Sequence, residues 1–499
     1  MTSLIISIDI GTTSTKSTIF TTTGHALASF YQGYPMTKDG GGRATQDPES
    51  IFQGVLTTLK NALDFNNTRE KLIAVTFSSA MHSLIGLDGN HQPLTPVITW
   101  ADSRANQWAE QLKNSPQGPT FYQKTGTPLH PMTPLSKIMW LKQEESDLYH
   151  QIKLFTSIKE YILYRLFNTH LVDYSIASGT GLFNIHSLTW DQDILSFLEL
   201  SEERLPKAVP PTTQLTKINK AYQKQLGLPD NIPFVIGASD GALANLGTNC
   251  ISSEKANLSI GTSAALRYTV RSPLLHQTGE TFCYLLDEGY WVIGGAANNG
   301  GMIIDWARQL TANDMSYDDF MAKVEKIPAG SDNLFFHPYL SGERAPIWSG
   351  DIRGSFTGLA LSHTDAHLMR AILEGICFNI ADIFQALNSL TAQPIKICAS
   401  GGFSHSPTWK QMMADILGQP ITFPKTHESS GLGAMILALK SLGLIANYEE
   451  SNHLAVFQDH STEELLMPIK TNQQLYVKQL IKYQQLKELT KLQTTILTD

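Results

Sequence analysis

Asp9-Ile10-Gly11-Thr12-Thr13, near the start of the chain, and Ser259-Ile260-Gly261-Thr262-Ser263, half a chain later, are two copies of one device, and they decide the fold. Ahead of the first turn, Ile6, Ile8 and Ile10 alternate onto one face as strand residues do, and behind it a β-rich run extends from Ser14 to Phe20. That pattern predicts a hairpin. Around the second turn, Ala256 to Ile260 form a strand and Ala264 to Thr269 the strand that returns. A hairpin opening each half of the chain implies a duplicated domain with both turns facing a shared cleft. The boundary falls near residues 248–255, giving an N-terminal domain over 1–250, a C-terminal domain over 251–450 and a helical extension over 451–499.

Elsewhere strands and helices alternate. Lys71 to Ser78 reads as a strand, Ser103 to Lys113 as a helix, and Pro233 to Ala238 as a buried strand. A long helix from His367 to Leu390 carries apolar residues at Leu368, Ile372, Ile376, Ile380, Ile383 and Leu387. A further strand, Ile395 to Ala399, leads through Ser400-Gly401-Gly402 into a helix with Ser406 as N-cap, Pro407 at its first position and Gly418 past its end. The fold class is therefore α/β. The tail places Tyr476, Leu480, Tyr483, Leu486, Leu489, Leu492 and Ile496 at spacings of three and four, an amphipathic helix that docks on its own chain or forms a subunit contact, as in a homodimer.

Composition narrows the function. At 499 residues, with 42% hydrophobic and 16% charged residues, the chain has the make-up of a multi-domain soluble enzyme. It has no run of about 18 apolar residues to span a bilayer. The net charge of -8, with Lys and Arg scattered, lacks the basic stripe that nucleic acid requires. Met1-Thr2-Ser3-Leu4-Ile5-Ile6 has neither a positive n-region nor a small-residue cleavage site, so the protein is expected to be cytoplasmic. Cys250, Cys283, Cys377 and Cys398 lie too far apart for a zinc knuckle or a disulfide framework.

A turn of Gly, Thr and Ser between strands aims several backbone N–H groups and hydroxyls at one point, which suits phosphate oxygens. Gly11, Thr12, Thr13 and Ser14 supply these in the first copy, and Lys16 on the returning strand adds a positive charge. Asp9 ends the first strand beside that turn, placed to hold Mg²⁺ through water or to cap backbone amides. The second copy has Ser259 at that position, so only one half is equipped for the metal. In Phe234-Val235-Ile236-Gly237-Ala238-Ser239-Asp240-Gly241-Ala242 a buried strand runs into a helix, which puts Asp240 at the mouth of a crevice. It either takes a proton from an acceptor hydroxyl or caps the helix. Gly401-Gly402 either let the backbone approach an adenine ring or simply join strand to helix. Met81-His82 and Trp100-Ala101-Asp102-Ser103-Arg104 each follow a strand into the same cleft. His82 and Asp102 could bind sugar hydroxyls, and Arg104 a carboxylate; a satisfied buried histidine and an N-cap are the alternatives for the first two.

Together these pieces resemble the FGGY family of carbohydrate kinases over nearly the whole chain. The resemblance rests on Met132-Thr133-Pro134-Leu135-Ser136-Lys137-Ile138-Met139-Trp140-Leu141 and on Gly354-Ser355-Phe356-Thr357-Gly358-Leu359 through His367-Leu368 to Ala371-Ile372-Leu373-Glu374. It implies a duplicated actin-like, ribonuclease-H-like ATPase fold that closes around ATP and a small sugar. It also implies Asp240 as base, Thr12, Thr13 and Lys16 on phosphates with Asp9 near magnesium, and Gly261-Thr262 on the nucleotide. Gly301, Asp305, Gly402 and Ser406 fall where the family contacts ribose and adenine, although glycerol kinases have Asn at the last position. Met81-His82 matches the sugar-binding pair of xylulose kinases. Ser79-Ala80-Met81-His82-Ser83, Thr99-Trp100-Ala101-Asp102-Ser103-Arg104, Thr125-Gly126-Thr127-Pro128-Leu129-His130-Pro131 and Tyr339-Leu340-Ser341-Gly342-Glu343-Arg344-Ala345-Pro346 look most like gluconate kinases. A sugar acid would then be the acceptor, with Arg104, Lys137 or Arg344 opposite its carboxylate. The alternatives are a xylulose kinase and, outside kinases, a non-catalytic sugar sensor.

Overall fold

The computed structural model describes residues 3–66, 68–252, 254–310, 315–391, 396–423, 429–458 and 464–498. In the first half, β1 (Leu4–Ile10) pairs antiparallel with β2 (Ser14–Thr21) and β2 with β3 (Ala26–Gly33), while β4 (Leu72–Ser79) and β5 (Phe234–Ser239) extend the sheet in parallel from the other side of β1. In the second half, β6 (Lys255–Ile260) pairs antiparallel with β7 (Ala264–Val270). An edge strand β8 (Phe282–Asp287) pairs with β9 (Tyr290–Ala297), and β9 pairs with β7. Then β10 (Lys396–Ser400) and β11 (Ile421–Phe423) run parallel to β6. Both sheets thus share three antiparallel strands followed by two parallel ones, with the hairpin at the centre, and further antiparallel strands lie at their edges, β8 among them. Ile395 lies outside the described residues. Ile5 is buried as fully as Ile6, Ile8 and Ile10, so β1 is covered on both faces, as the middle of an α/β sheet must be.

The helices that bear on the site are α1 (Pro134–Glu144), α2 (Asp240–Gly247), α3 (Met302–Gln309), α4 (Asp365–Asn388), α5 (Pro407–Leu417), α6 (Ser429–Ser441) and α7 (Lys470–Thr498). Helix α4 begins before His367 because Thr364 caps it and His367 reaches back in a capping box. Helix α2, which follows β5, crosses α6 from the other half with no room for side chains. A Cβ on Gly247 would lie 1.8 Å from the carbonyl oxygen of Ser429, and one on Gly433 1.9 Å from that of Leu243. This backbone-to-backbone crossing carries the start of α6 under β1, where the Ser430 hydroxyl donates to Asp9 at 2.9 Å.

The tail differs from its sequence pattern. Glu464–Leu466 adds an antiparallel strand to β11, so residues 451–499 are not wholly helical. In α7, Tyr476, Leu480 and Tyr483 are buried against the second half, and the Tyr476 hydroxyl donates to Glu374 at 2.7 Å. Leu489, Leu492 and Ile496 instead face solvent at 54%, 59% and 69% exposure. Four consecutive steps of three residues, from Leu480 to Leu492, fall short of a full 3.6-residue turn and carry the apolar stripe round the helix, while Thr490 and Thr494 take the buried face. Among the described residues no helix is long and apolar enough to cross a membrane, and the cysteines form no disulfide.

Candidate active site

The central cavity, of about 270 Å³, opens between the two sheets and is lined from the first half by Thr12, Met81, His82, Trp100, Asp240 and Gly241. Ser259, Ser263, Arg267, Tyr284, Arg344 and Trp348 line it from the second half. Strand β5 ends at Ser239, which is the N-cap of α2 by its extended backbone, so Asp240 does not cap the helix. The Ser239 hydroxyl is shared with that of Ser175 at 2.9 Å, and the Asp240 carboxylate accepts from the Gly241 N–H at 2.6 Å while facing the cavity. Burial, and then the nearby charge of Asp9, push the Asp240 carboxyl up to about 6; Arg267 and Arg344 pull against them.

Asp9 pairs directly across β1 and β2 with Lys16, and the Lys16 ammonium lies 5.7 Å from the centre of the Tyr31 ring. Its two carboxylate oxygens accept from the hydroxyls of Ser78 at 2.7 Å and Ser430 at 2.9 Å. Each oxygen keeps a lone pair. Among the described residues no three His, Cys, Asp or Glu side chains cluster as a metal cage. A single carboxylate beside a turn of backbone N–H groups and hydroxyls fits Mg²⁺, a cation that keeps several waters and needs few protein ligands. In the turn itself, the Gly11 N–H donates to the Ser14 carbonyl at 3.0 Å and Thr13 is exposed. Thr12 accepts the Trp100 indole N–H at 2.9 Å, which ties the first glycine-threonine turn to the wall of the cavity.

His82 is held with Nδ1 2.7 Å from the Gly179 carbonyl, so Nδ1 donates and Nε2 keeps its lone pair. Burial, with Lys137 and Arg344 nearby, lowers its pKa to about 3, leaving a neutral imidazole. Lys137, from α1, is not available to a ligand. Its ammonium donates to the carbonyls of His82 at 2.5 Å, Ile98 at 3.3 Å and Thr99 at 2.8 Å, clamping the His82 and Trp100 segments together. Asp102 and Arg104 also stand apart from the cavity lining. Asp102 is buried and accepts the Ala44 N–H at 2.9 Å, and the Arg104 guanidinium donates to it at 2.8 and 3.0 Å while stacking 4.2 Å from the Trp140 ring. Two residues apart in one turn, these opposite charges satisfy each other before any ligand can.

On the second half, Gly261 and Thr262 are exposed, and their carbonyls accept the N–H groups of Gly301 at 2.7 Å and Gly300 at 3.2 Å at the start of α3. Gly401, at φ +104°, lies against Ile260, where a Cβ would come within 2.2 Å of its carbonyl oxygen. Nothing within 4 Å would meet a Cβ on Gly261 or Gly402. The structure therefore packs Gly301 and Gly401 against the Ile260-Gly261 segment, with space left beside Gly261 and beside Gly402. Asp305 lies on the exposed side of α3 and pairs with Arg308 at 3.3 Å. Ser406 is buried and caps α5, accepting the Trp409 N–H at 3.3 Å and donating to the Met321 sulfur at 3.6 Å, so its hydroxyl is already engaged.

Arg267 was missed by sequence reasoning. Its signal was a lone charge in the strand Ala264–Val270, on the same face as Ser259 and Ala265.

The chain matches the model of the FGGY family of carbohydrate kinases, N-terminal domain, over residues 4–247 and the C-terminal domain over residues 256–442. It belongs to this family. A gluconokinase of Bacillus subtilis is 41% identical over 95% of this chain and 96% of its own length. The crystal structure of gluconate kinase from Lactobacillus acidophilus superposes with a TM-score of 0.92 at 37% identity, covering 98% of each chain. A structure of ligand-bound xylulose kinase from Lactobacillus acidophilus has the same TM-score at 38% identity and the same coverage. As an FGGY kinase the protein has the actin-like two-domain fold and transfers a phosphoryl group from ATP to a carbohydrate.

Proposed function

We propose that this FGGY kinase phosphorylates the 6-hydroxyl of D-gluconate, giving 6-phosphogluconate and ADP, with Asp240 as general base. One observation carries the mechanism: a carboxylate at the head of α2 faces a cavity between two phosphate-binding turns, with its pKa raised to about 6. At pH 7 such a group is roughly nine-tenths ionised and close enough to neutrality to accept a proton during transfer. The acceptor oxygen gives its proton to Asp240 and forms the new O–P bond as the bond to the bridging oxygen of ADP breaks. His82 Nε2 and the Trp100 face orient the open-chain acceptor. Thr12, Thr13, Ser14 and Lys16 hold the phosphates from the first half, Gly261 and Thr262 from the second, and Gly301, Gly401 and Gly402 border the nucleoside. Asp9 would hold magnesium through water, which would supply positive charge to the triphosphate.

The choice of gluconate rests on the Bacillus gluconokinase at 41% identity. Xylulose is the second reading, favoured by the 38% identical xylulose kinase. We assign residues 1–250 to the catalytic and sugar-binding domain and 251–450 to the nucleotide domain, and we place the enzyme in the cytoplasm with its ATP. ADP release measured with gluconate, xylulose, glycerol and ribulose should rank gluconate first in kcat/KM. Another sugar in first place overturns the assignment.

A further inference from the structure

Two guanidiniums and a single carboxylate line the cavity, and the guanidiniums are under-used. Arg267 donates only a long contact, 3.4 Å, to the Ser259 hydroxyl. Arg344 donates to the Ala297 carbonyl at 3.1 Å and lies 5.1 Å from the Trp100 ring, while its Nε is buried with no hydrogen-bond partner. Each guanidinium has five N–H donors in a planar fork. Neither makes an ion pair among the described residues, in contrast to Arg104, whose charge goes to Asp102. Glu343 stands behind Arg344 but is committed to the N–H of Asn298 at 2.6 Å and to the amides of Asn299 and Asn379, both at 2.9 Å. His82, on the opposite wall, is neutral and adds no charge, and Asp240 is the base.

A cavity that buries two cations against one carboxylate fits a ligand that brings a negative charge and two acceptor oxygens. An acceptor carboxylate has both, and it matches the guanidinium fork bidentately. We propose that Arg267 and Arg344 form the subsite for the acceptor's carboxylate, so that the enzyme selects a sugar acid over a neutral polyol of the same length. This rests on the kinase reading above, with the reacting hydroxyl at Asp240 and the acid group at the other end of the chain. A neutral polyol leaves the two buried guanidiniums to share the Asp240 carboxylate and, behind Arg344, the committed Glu343, and a site built around a polar partner rejects an analogue that lacks it.

The test compares wild type with Arg344→Gln, Arg344→Lys and Arg267→Gln. Calorimetric binding of gluconate and of its neutral counterpart glucitol is measured alongside kcat and KM for gluconate and ATP. In wild type gluconate binds more tightly than glucitol. In Arg344→Gln gluconate weakens by roughly 10²-fold while glucitol changes by less than about threefold, the loss falls on the KM for gluconate and not for ATP, and Lys recovers part of it. Arg267→Gln shows the same selectivity loss. Wild-type preference for gluconate with both Gln variants unaltered overturns the subsite alone. An equal loss for gluconate and glucitol makes the arginines structural, and a loss confined to ATP turns them toward the triphosphate; either result overturns the subsite. Wild type that binds gluconate no better than glucitol overturns the gluconate assignment as well.

Discussion

The two glycine-threonine hairpins share a strand order but not a length. In the first, Ile10 pairs with Thr15 and four residues make the turn; in the second, Ile260 pairs with Ala264 and three suffice. That single residue changes which side chain stands opposite the strand end. The first hairpin sets Lys16 across from Asp9, opposite charges at the end of the strand. The second sets Ala265 across from Ser259 and, two residues on along the same face, directs Arg267 into the cavity. The same backbone turn thus occurs twice, and the returning strand's register sets different side chains beside it: in the proposed mechanism the first half takes the metal and phosphate charge and the second the acceptor charge.

Asp240 lines the cavity with residues of both hairpins, and as the base of the proposed mechanism its removal is expected to have the largest effect. Asp240→Asn should lower kcat by roughly 10² to 10⁴ or more while ATP still binds. Because burial raises the Asp240 pKa above its unfolded value, ionising it costs stability as pH rises from 3.8 to about 6. The Asn protein should therefore melt no lower than wild type at pH 7, which separates lost chemistry from lost fold. Near-normal turnover in this variant would remove Asp240 as the base.

The next effect tests the asymmetry between the hairpins. Asp9→Asn should cost roughly 10²-fold in turnover, the scale of losing one preorganised electrostatic group, and shift the magnesium requirement upward. Ser259→Ala, its counterpart, gives up only the long contact from Arg267 and should stay within about threefold of wild type. Equal losses at the two positions would mean that the metal is not confined to the first half.

Both turns were legible because what they need is local. Glycine and threonine between two alternating strands specify a hairpin and its donors without reference to the rest of the chain. Asp240 was legible for the same reason, through a buried strand that runs straight into a helix. The cations were not. Asp102 and Arg104 had the right residue types next to a strand end, but the Ala44 N–H, 58 positions earlier in the chain, helps to fix Asp102 in place and the pair closes on itself. Lys137 looked available, yet three carbonyls gathered from two distant loops consume its protons. Arg267 depends on a one-residue difference in turn length, which pattern alone does not weigh.

The smallest effect carries the finest information, because the two hairpins pull the Asp240 pKa in opposite directions. Asp9, on the first, raises it, and Arg267, on the second, lowers it. The base works ionised, so kcat/KM should climb with pH through an acid limb near 6 and flatten above it, falling to roughly a tenth of the plateau at pH 5. In Asp9→Asn a negative neighbour is gone, the carboxylate ionises more readily, and the limb should move to lower pH even though the plateau is depressed. In Arg267→Gln a positive neighbour is gone, and the limb should move to higher pH. Titrating kcat/KM for gluconate in the three proteins reads these displacements directly. Limbs that coincide, or that shift the same way in both variants, would mean that the limb does not report Asp240 poised between the charges of the two hairpins.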